Sequence, residues 1–575
     1  MRAVIGALRL ARPTKAHGFC SKRKRFALQT IRFRGVMNSY ILRRRKMNGN
    51  GLRKLPIGVQ GFPSLRGDGF VYVDKTEYIY KLTQGSRQYF LSRPRRFGKS
   101  LLLSTMRAFF EGKTELFKGL AIERLVEGDA KAWRPYPGFY LNFDKDTYQK
   151  NGILEDVLED HIKEWEKVYG CEDPEALLSE RFRSIIRRAV DRTGRRVVIL
   201  VDEYDKPLLE VMKDSELEEH NRAVFKGFFS TLKSYDDYIR FVFITGVTKF
   251  SKVSIFSDLN QLDDISFDEE YAAICGLTEA EIRNDLVPEI RGLAGKLGMT
   301  EEACLGLLKK NYDGYHFTED SEGIYNPFSL LCALKKGTLD YYWFETGTPA
   351  FLVRRLFKQR LDVRTFSGHA LYATKKRLMD YRGDSVDLIP LLYQTGYLTI
   401  TGVRKNGINV RLALGFPNAE VKYGFLDSLM PEYSPAARTE SGKDIQSITE
   451  YIENGETEKL ASAFTALYAS IPYTTKDVPF EHDFQTVIYL VFTLLGQYVH
   501  TEVHSAEGRA DCIVETDAYV YVFEFKRDGT ADEALAQIEE KGYATPYAAD
   551  SRKLIRVGVS FDSEKRILKD WKTIE

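Results

Sequence analysis

Apolar residues fall along this chain in distinct rhythms. Three short stretches are nearly continuous: Tyr89-Phe90-Leu91, the five apolar residues inside "RVVILVDE" (Arg196 to Glu203), and "RFVFIT" (Arg240 to Thr245). Unbroken apolar strands belong to sheets covered on both faces, and helical segments between them predict a parallel αβα sheet. Leu101, Leu102, Thr105 and Phe109 recur at helical spacing over Ser100 to Phe110. Residues 278–382 read as mostly helical, broken by aromatic turns at Tyr312-Asp313-Gly314-Tyr315 and Tyr325-Asn326-Pro327. A helix (Val386 to Gln394), Gly396, a strand (Tyr397 to Thr401), a Lys405-Asn406-Gly407 turn and a strand (Ile408 to Leu414) follow. Asn-Gly between apolar runs predicts a hairpin, so this stretch is compatible with a winged helix carrying Arg404, Lys405 and Arg411, or with a structural element of a lid. The longest apolar run, Val487 to Val499, is broken by Gly496 and Gln497. It is too short to cross a bilayer and predicts a buried helix, with no membrane partner. Two last strands, Ala510 to Val514 and Tyr519 to Lys526, flank the polar turn Glu515-Thr516-Asp517-Ala518.

At 575 residues the chain exceeds one core, and length alone suggests roughly three or four domains. The net charge of +3 hides an uneven distribution. Of 84 Lys and Arg, 14 lie in residues 1–50, which hold no acid; the other 70 stand against 81 acids, a body charge of −11. Any nucleic-acid contact must therefore come from local patches. The basic leader reads as an upstream extension, with a transit peptide or basic arm as alternatives, because globular patterning begins near Leu55. Six scattered cysteines with no C-x-x-C pair argue against a zinc ribbon or disulfide framework and suit the reducing cytoplasm.

Candidate chemistry concentrates in two places. Residues 93–100, "RPRRFGKS", end as a phosphate-binding loop ends, but Arg93 stands where the pattern has its first glycine. Strand, loop and helix in succession would let the amides around Gly98 hold phosphate oxygens, Lys99 reach the terminal phosphates of ATP and Ser100 ligate Mg²⁺. Asp202 and Glu203 at the end of the second strand would hold Mg²⁺ and activate water respectively, while Asp205 could cap the next helix. Thr245, at the end of the third strand, could contact the γ-phosphate or the attacking water, or satisfy its own turn. The guanidinium of Arg93, with those of Arg95 and Arg96, has two expected roles, contact with phosphate or exposure to solvent.

The second place is Glu507 to Arg527. If the polar turn closes symmetrically, position 514 opposes 519 and Asp511 faces Val522, so Asp511, Glu524 and Lys526 share one face. Two carboxylates are hard ligands for Mg²⁺ beside a scissile phosphodiester, and Lys526 would orient water or stabilise developing charge. An exposed Glu-Lys pair on a half-solvated hairpin is the plain alternative.

"YVDKT" (Tyr72 to Thr76), "RPRRFGKS", "LVDEYDKPL" (Leu200 to Leu208), "FITGVTKFS" (Phe243 to Ser251), "YDGYHF" (Tyr312 to Phe317), "YNPFSLL" (Tyr325 to Leu331) and "LLYQTGYLTI" (Leu391 to Ile400), in that order, resemble the bacterial AAA-ATPase-like family. The arginine at the loop's first position is similar to that family's own pattern. Asp-x(12)-Glu-x-Lys resembles the core of PD-(D/E)XK nucleases, with Ala510 in place of the leading proline. The trailing helix, with Gln537 and Lys541 four residues apart and Tyr543 beyond, is similar to that family's Q-I-x-x-K-x-Y. Glu481, opening the helix before Val487, matches the first-motif acid, though an acid there also suits a helix N-terminus. The resemblance implies an α/β chain in five parts: a leader (1–50), a P-loop αβα ATPase domain (51–277), a helical lid (278–382), a winged-helix-like element (383–435) and a PD-(D/E)XK restriction-endonuclease-like domain (436–575). It implies ATP and Mg²⁺ as cofactors and a nucleic-acid partner, DNA ahead of RNA, with a homo-oligomer also open. The function implied is an ATPase module joined to a Mg²⁺-dependent nuclease, or else a nucleotide-switched nucleic-acid-binding or signalling protein.

Overall fold

In the computed structural model, the described residues are 53–129, 131–144, 146–212, 214–249, 262–347, 356, 359, 363–366, 371–379, 387–407, 409–433, 443–469, 480–496, 500–503, 511–565 and 567–575. The basic leader lies outside them. Met1–Leu55 with Gly69–Val71 forms one unit, and Pro56–Asp68 with Tyr72–Glu575 forms a second. In the first, the Val71 amide donates to the Lys54 carbonyl at 2.9 Å.

The second unit begins with five parallel strands, β1 (Gln88–Ser92), β2 (Gly138–Asn142), β3 (Val197–Asp202), β4 (Ile239–Gly246) and β5 (Asp263–Asp264), in the order β2-β3-β4-β1-β5. All six residues of β3 are buried, as its continuous apolar run demands. Edge strand β2 escaped the sequence pattern because only Phe139 and Leu141 face inward, where Phe139 meets Trp165 and Phe182. Strands β3, β4 and β1 are neighbours, so their carboxyl ends, at Asp202, Thr245 and Ser92, converge on one side of the sheet. That is where parallel α/β sheets bind ligands.

Five helices follow: Glu279–Asp285, Val287–Leu297, Glu301–Tyr312, Pro327–Lys336 and Tyr342–Gly347. The aromatic turns have specific work. Asn326 accepts from the amides of Phe328 and Ser329 and starts its helix with Pro327 in the first turn. Gly314 holds φ +91, and a Cβ there would sit 2.1 Å from the Pro417 carbonyl. The hairpin consists of β7 (Thr399–Asn406) and β8 (Asn409–Gly415), preceded by the helix Ile389–Thr395. A third strand, β6 (Leu371–Ala373), completes the sheet in the order β6-β8-β7, so residues before the expected boundary at 382 belong with the hairpin. The wing's charge is locally engaged: Lys405 pairs with Glu319 at 3.4 Å, and Arg404 lies 4.6 Å from the Tyr372 ring centroid.

The C-terminal sheet is mixed: β9 (His500–Val503), β10 (Cys512–Glu515), β11 (Tyr519–Arg527), β12 (Lys553–Asp562) and β13 (Ile567–Ile574), ordered β13-β12-β11-β10-β9. Only β11 and β12 are parallel, and the helix Ala531–Glu540 makes their crossover. The apolar run near Val487 forms the helix Phe480–Leu495, whose Phe492 ring meets Phe523 at 5.0 Å. Among the described residues no helix is long and apolar enough to cross a membrane.

One register expectation is corrected. Val514 pairs with Tyr521, not with position 519, and Cys512 pairs with Phe523. Thr516 is the cause: its amide donates to the Tyr519 carbonyl and its hydroxyl accepts from the Tyr519 amide, both at 2.9 Å, shortening the turn to Asp517-Ala518. The two-residue shift preserves alternation and moves Asp511 from beside Val522 to beside Glu524.

Candidate active sites

The loop after β1 turns through Gly98, whose φ of +94 caps the helix Lys99–Phe110 and whose carbonyl accepts from the Leu102 amide at 3.0 Å. An L-residue would be strained there. Arg93 takes neither of its expected roles. It is 1 % exposed, and its guanidinium donates to the carbonyls of Ser92, Ser266 and Tyr271 at 2.9, 2.9 and 3.1 Å while stacking 4.0 Å from the centroid of Phe317. Burial pushes its pKa down to about 10, so it stays charged at neutral pH. The residue bolts the loop's entrance to the segment after β5 and to the helical region. Arg93→Met should destabilise the protein by about 3 kcal/mol in urea unfolding, since buried carbonyls lose their donors at about 1–3 kcal/mol each; a change below about 1 kcal/mol would contradict the anchoring role.

Lys99 is buried, and its Nζ donates to the carbonyls of Arg93 and Pro94 at 3.1 and 3.2 Å, lying 3.5 Å from Glu203 Oε1. Asp202, 1 % exposed, accepts from the Thr245 hydroxyl at 2.8 Å and from the Tyr140 hydroxyl at 3.4 Å. Burial first, then the charge of Glu203, raises the pKa of Asp202, with the hydroxyls of Ser100 and Thr245 opposing. Thr245 is thus a positioning partner of Asp202 beneath the site. Glu203 holds φ +55, rare for a non-glycine residue and typical of strain kept at a functional position.

A cavity of about 420 Å³ opens over the loop, lined among others by Arg95, Arg96, Gly98, Lys99, Ser100 and Glu203. Its size suits a nucleotide-scale ligand. The Ser100 hydroxyl and the Asp202 carboxylate are hard donors within one hydrogen-bonded group, a set that fits Mg²⁺. Tyr140, on unrecognised β2, carried no sequence signal, and Phe328, though inside the motif Tyr325 to Leu331, was not assigned to this site.

Asp205 does not cap the following helix with its side chain. Its buried carboxylate accepts from the Val247 amide (3.1 Å), the Thr248 amide (2.6 Å) and the Thr248 hydroxyl (2.7 Å), tying β3 to the loop after β4. Burial and then Glu203 push its pKa from 3.8 up to about 6. For a carboxyl raised on folding, the folded chain binds the extra proton, so this group's contribution falls as pH rises from about 4 to 6. The stability difference between wild type and Asp205→Asn should accordingly move toward the variant over that interval in denaturant titrations; a flat difference would refute the shift.

In the C-terminal sheet, Asp511 Oδ2 accepts from the Phe525 amide at 2.9 Å, and Lys526 Nζ donates to Glu524 Oε1 at 3.2 Å. Gln537, from the crossover helix, bridges the pair: its Oε1 accepts from Lys526 and its Nε2 donates to Glu524. Glu524 is 3 % exposed, and among the described residues its Oε2 is buried without a donor. Burial and the neighbouring Asp511 raise the Glu524 pKa, and burial raises that of Asp511. A buried carboxylate oxygen lacking a donor, beside a second carboxylate, fits a hard divalent cation. Lys541 is not brought to the cluster: it sits exposed at the helix's C-cap, while the Tyr543 hydroxyl lies 3.5 Å from Gln537. Lys541 still follows Gln537 by one helical turn, its backbone in the αR region and its amide donating to the Gln537 carbonyl at 3.0 Å, but its side chain is exposed. Glu481 lies in the helix Phe480–Leu495, its side chain outside the described residues.

Fold and sites together define a P-loop ATPase-like domain joined to a PD-(D/E)XK nuclease-like domain. Residues 56–256 match the family described as "Predicted AAA-ATPase", and residues 479–571 match the "PD-(D/E)XK nuclease superfamily". The chain is 37 % identical over 522 residues to the "Uncharacterized protein in vnfD 5'region" of Azotobacter chroococcum mcd 1, covering 89 % of this chain and 97 % of that one. The chain belongs to this AAA-ATPase-like family. A solved structure, the ORC2 protein of Aeropyrum pernix in ADPNP-ADP complexes, aligns at 12 % identity and a TM-score of 0.17, covering 62 % of this chain and 92 % of that one; a superposition that loose carries no argument.

Proposed function

We propose that this chain hydrolyses ATP at the loop of residues 93–100 and uses its C-terminal domain to cleave nucleic acid phosphodiesters with Mg²⁺, DNA being the first substrate to test. The observation that carries the nuclease half is Glu524 Oε2, a buried acceptor between Asp511 and Lys526 that has no donor among the described residues. Bound Mg²⁺ would supply positive charge at the phosphate and make water more acidic. Asp511 and Glu524 would hold the ion, and Lys526, fixed by Gln537, would donate to the attacking water or to the phosphorane oxygens. At the other site, the amides near Gly98 and the ammonium of Lys99 would bind phosphates, Ser100 and Asp202 would hold Mg²⁺, and Glu203 would accept the water's proton. A reducing cytoplasm and a homo-oligomer belong to the same reading. The test is cleavage of plasmid, linear duplex, single-stranded DNA and RNA with and without ATP and Mg²⁺. Metal-dependent cleavage of DNA is expected; a preparation inert on every substrate with Mg²⁺ or Mn²⁺ would sink the nuclease half.

A further inference from the structure

We propose that Arg96, carried by the phosphate loop itself, is a catalytic residue that contacts the terminal phosphoryl oxygens of a nucleoside triphosphate in the transition state of its hydrolysis, so that no arginine from a second subunit is needed. This rests on the ATPase reading above. Arg96 holds φ +67, a conformation that crowds the Cβ of any L-residue and that glycine would take freely. The loop is pinned on both sides of it. The Arg95 carbonyl accepts from Trp343 Nε1 at 3.1 Å, and the Phe97 carbonyl accepts from the Gly276 amide at 3.0 Å while the Phe97 ring packs on Tyr315 at 4.8 Å. Strain over-determined in this way persists where a side chain must be held in place.

That side chain is held over the cavity shared with Lys99, Ser100 and Glu203, its guanidinium 5.0 Å from the ring centroid of Phe328, which lines the same cavity. Of the other cations at the cavity, Arg93 is buried on carbonyls, Lys99 lies between carbonyls and Glu203, and Lys206 pairs with Asp144 and Glu210, while Arg95, which also lines it, differs from Arg96 in having, among the described residues, neither the positive φ nor a ring of the cavity wall beneath its guanidinium. Among the described residues, Arg96 has no such acidic partner. In hydrolysis the water oxygen bonds to the γ-phosphorus, the bond to the β,γ-bridging oxygen breaks with its electron pair leaving on the diphosphate, and Glu203 takes the water's proton. Negative charge spreads over the equatorial γ-oxygens, and a planar guanidinium can donate two hydrogen bonds to them.

The experiment compares wild type with Arg96→Ala, Arg96→Lys and Arg96→Gly in nucleotide binding, using a fluorescent ATP analogue, and in ATP turnover at several protein concentrations. We expect kcat to fall about 10²–10³-fold in all three, with affinity changing less than about threefold, taking Arg96 contact as confined to the transition state. Wild-type turnover per chain should be unchanged on dilution. Arg96→Gly separates charge from folding, because it relieves the backbone strain and should unfold no more easily than wild type. Turnover within about threefold of wild type in Arg96→Ala and Arg96→Gly, wild-type turnover that collapses on dilution, or nucleotide binding by the wild-type protein without any turnover would overturn the inference. Failure of the wild-type protein to bind nucleotide would instead defeat the ATPase reading on which it rests.

Discussion

Lys526→Ala should lower metal-dependent DNA cleavage by about 10²–10³-fold while leaving the fold intact. The side chain is 26 % exposed at the end of β11, and its removal opens no core cavity. What is lost is an ammonium held beside the site by Glu524 and Gln537. Glu524→Gln should be equally inactive for a different reason, because an amide is a poor ligand for a hard cation. It should also be at least as stable as wild type, since a buried carboxylate whose pKa is raised opposes folding at neutral pH. The pair therefore separates chemistry from structure. Plasmid nicking measured beside thermal unfolding decides it: loss of cleavage with retained Tm supports the assignment, whereas cleavage persisting in both variants would relegate the cluster to a structural ion pair.

Much of this was legible in the chain because the two sites sit on elements with strong local signals. β3 is five apolar residues followed by Asp202-Glu203, and the strand pattern places those acids without knowledge of any contact. Period-two alternation put Asp511, Glu524 and Lys526 on one face even though the assumed turn was wrong, because an error of two residues preserves parity. What escaped depends on distant contacts. Arg93 looked like a phosphate or solvent arginine because its acceptors are carbonyls 173 and 178 residues away, and carbonyls have no sequence signature. Asp205 looked like a cap because the amides it binds lie 42 and 43 residues further on. Lys541 follows Gln537 by one helical turn, as the spacing predicts, but that spacing alone does not reveal that its side chain is exposed.

Glu203→Gln should bind ATP about as tightly as wild type yet lose about 10²–10⁴-fold in turnover, because the amide keeps the side chain's shape but cannot take a proton. Its carboxylate lies 3.5 Å from Lys99 at the end of β3, with backbone strain already present at φ +55, so the substitution disturbs neither packing nor loop. Such a variant, held with ATP, also tests communication between the domains. The Arg95 carbonyl is bonded to Trp343 Nε1, the Trp343 amide donates to buried Glu420, and Glu420 opens the helix Ala419–Tyr433. That helix reaches the nuclease domain through Tyr423, whose hydroxyl donates to the Gly496 carbonyl at 3.4 Å, at the end of the helix that packs Phe492 on Phe523 beside Glu524. Nucleotide entering the cavity that Arg95 lines would bear on one end of this chain of contacts. Cleavage by Glu203→Gln should therefore differ with and without ATP, and Trp343→Phe, which removes the indole N–H while keeping an aromatic ring, should shrink that difference without altering cleavage in the absence of nucleotide. Equal ATP effects in the two backgrounds would break the link at Trp343, and the nuclease would then have to be governed by another route.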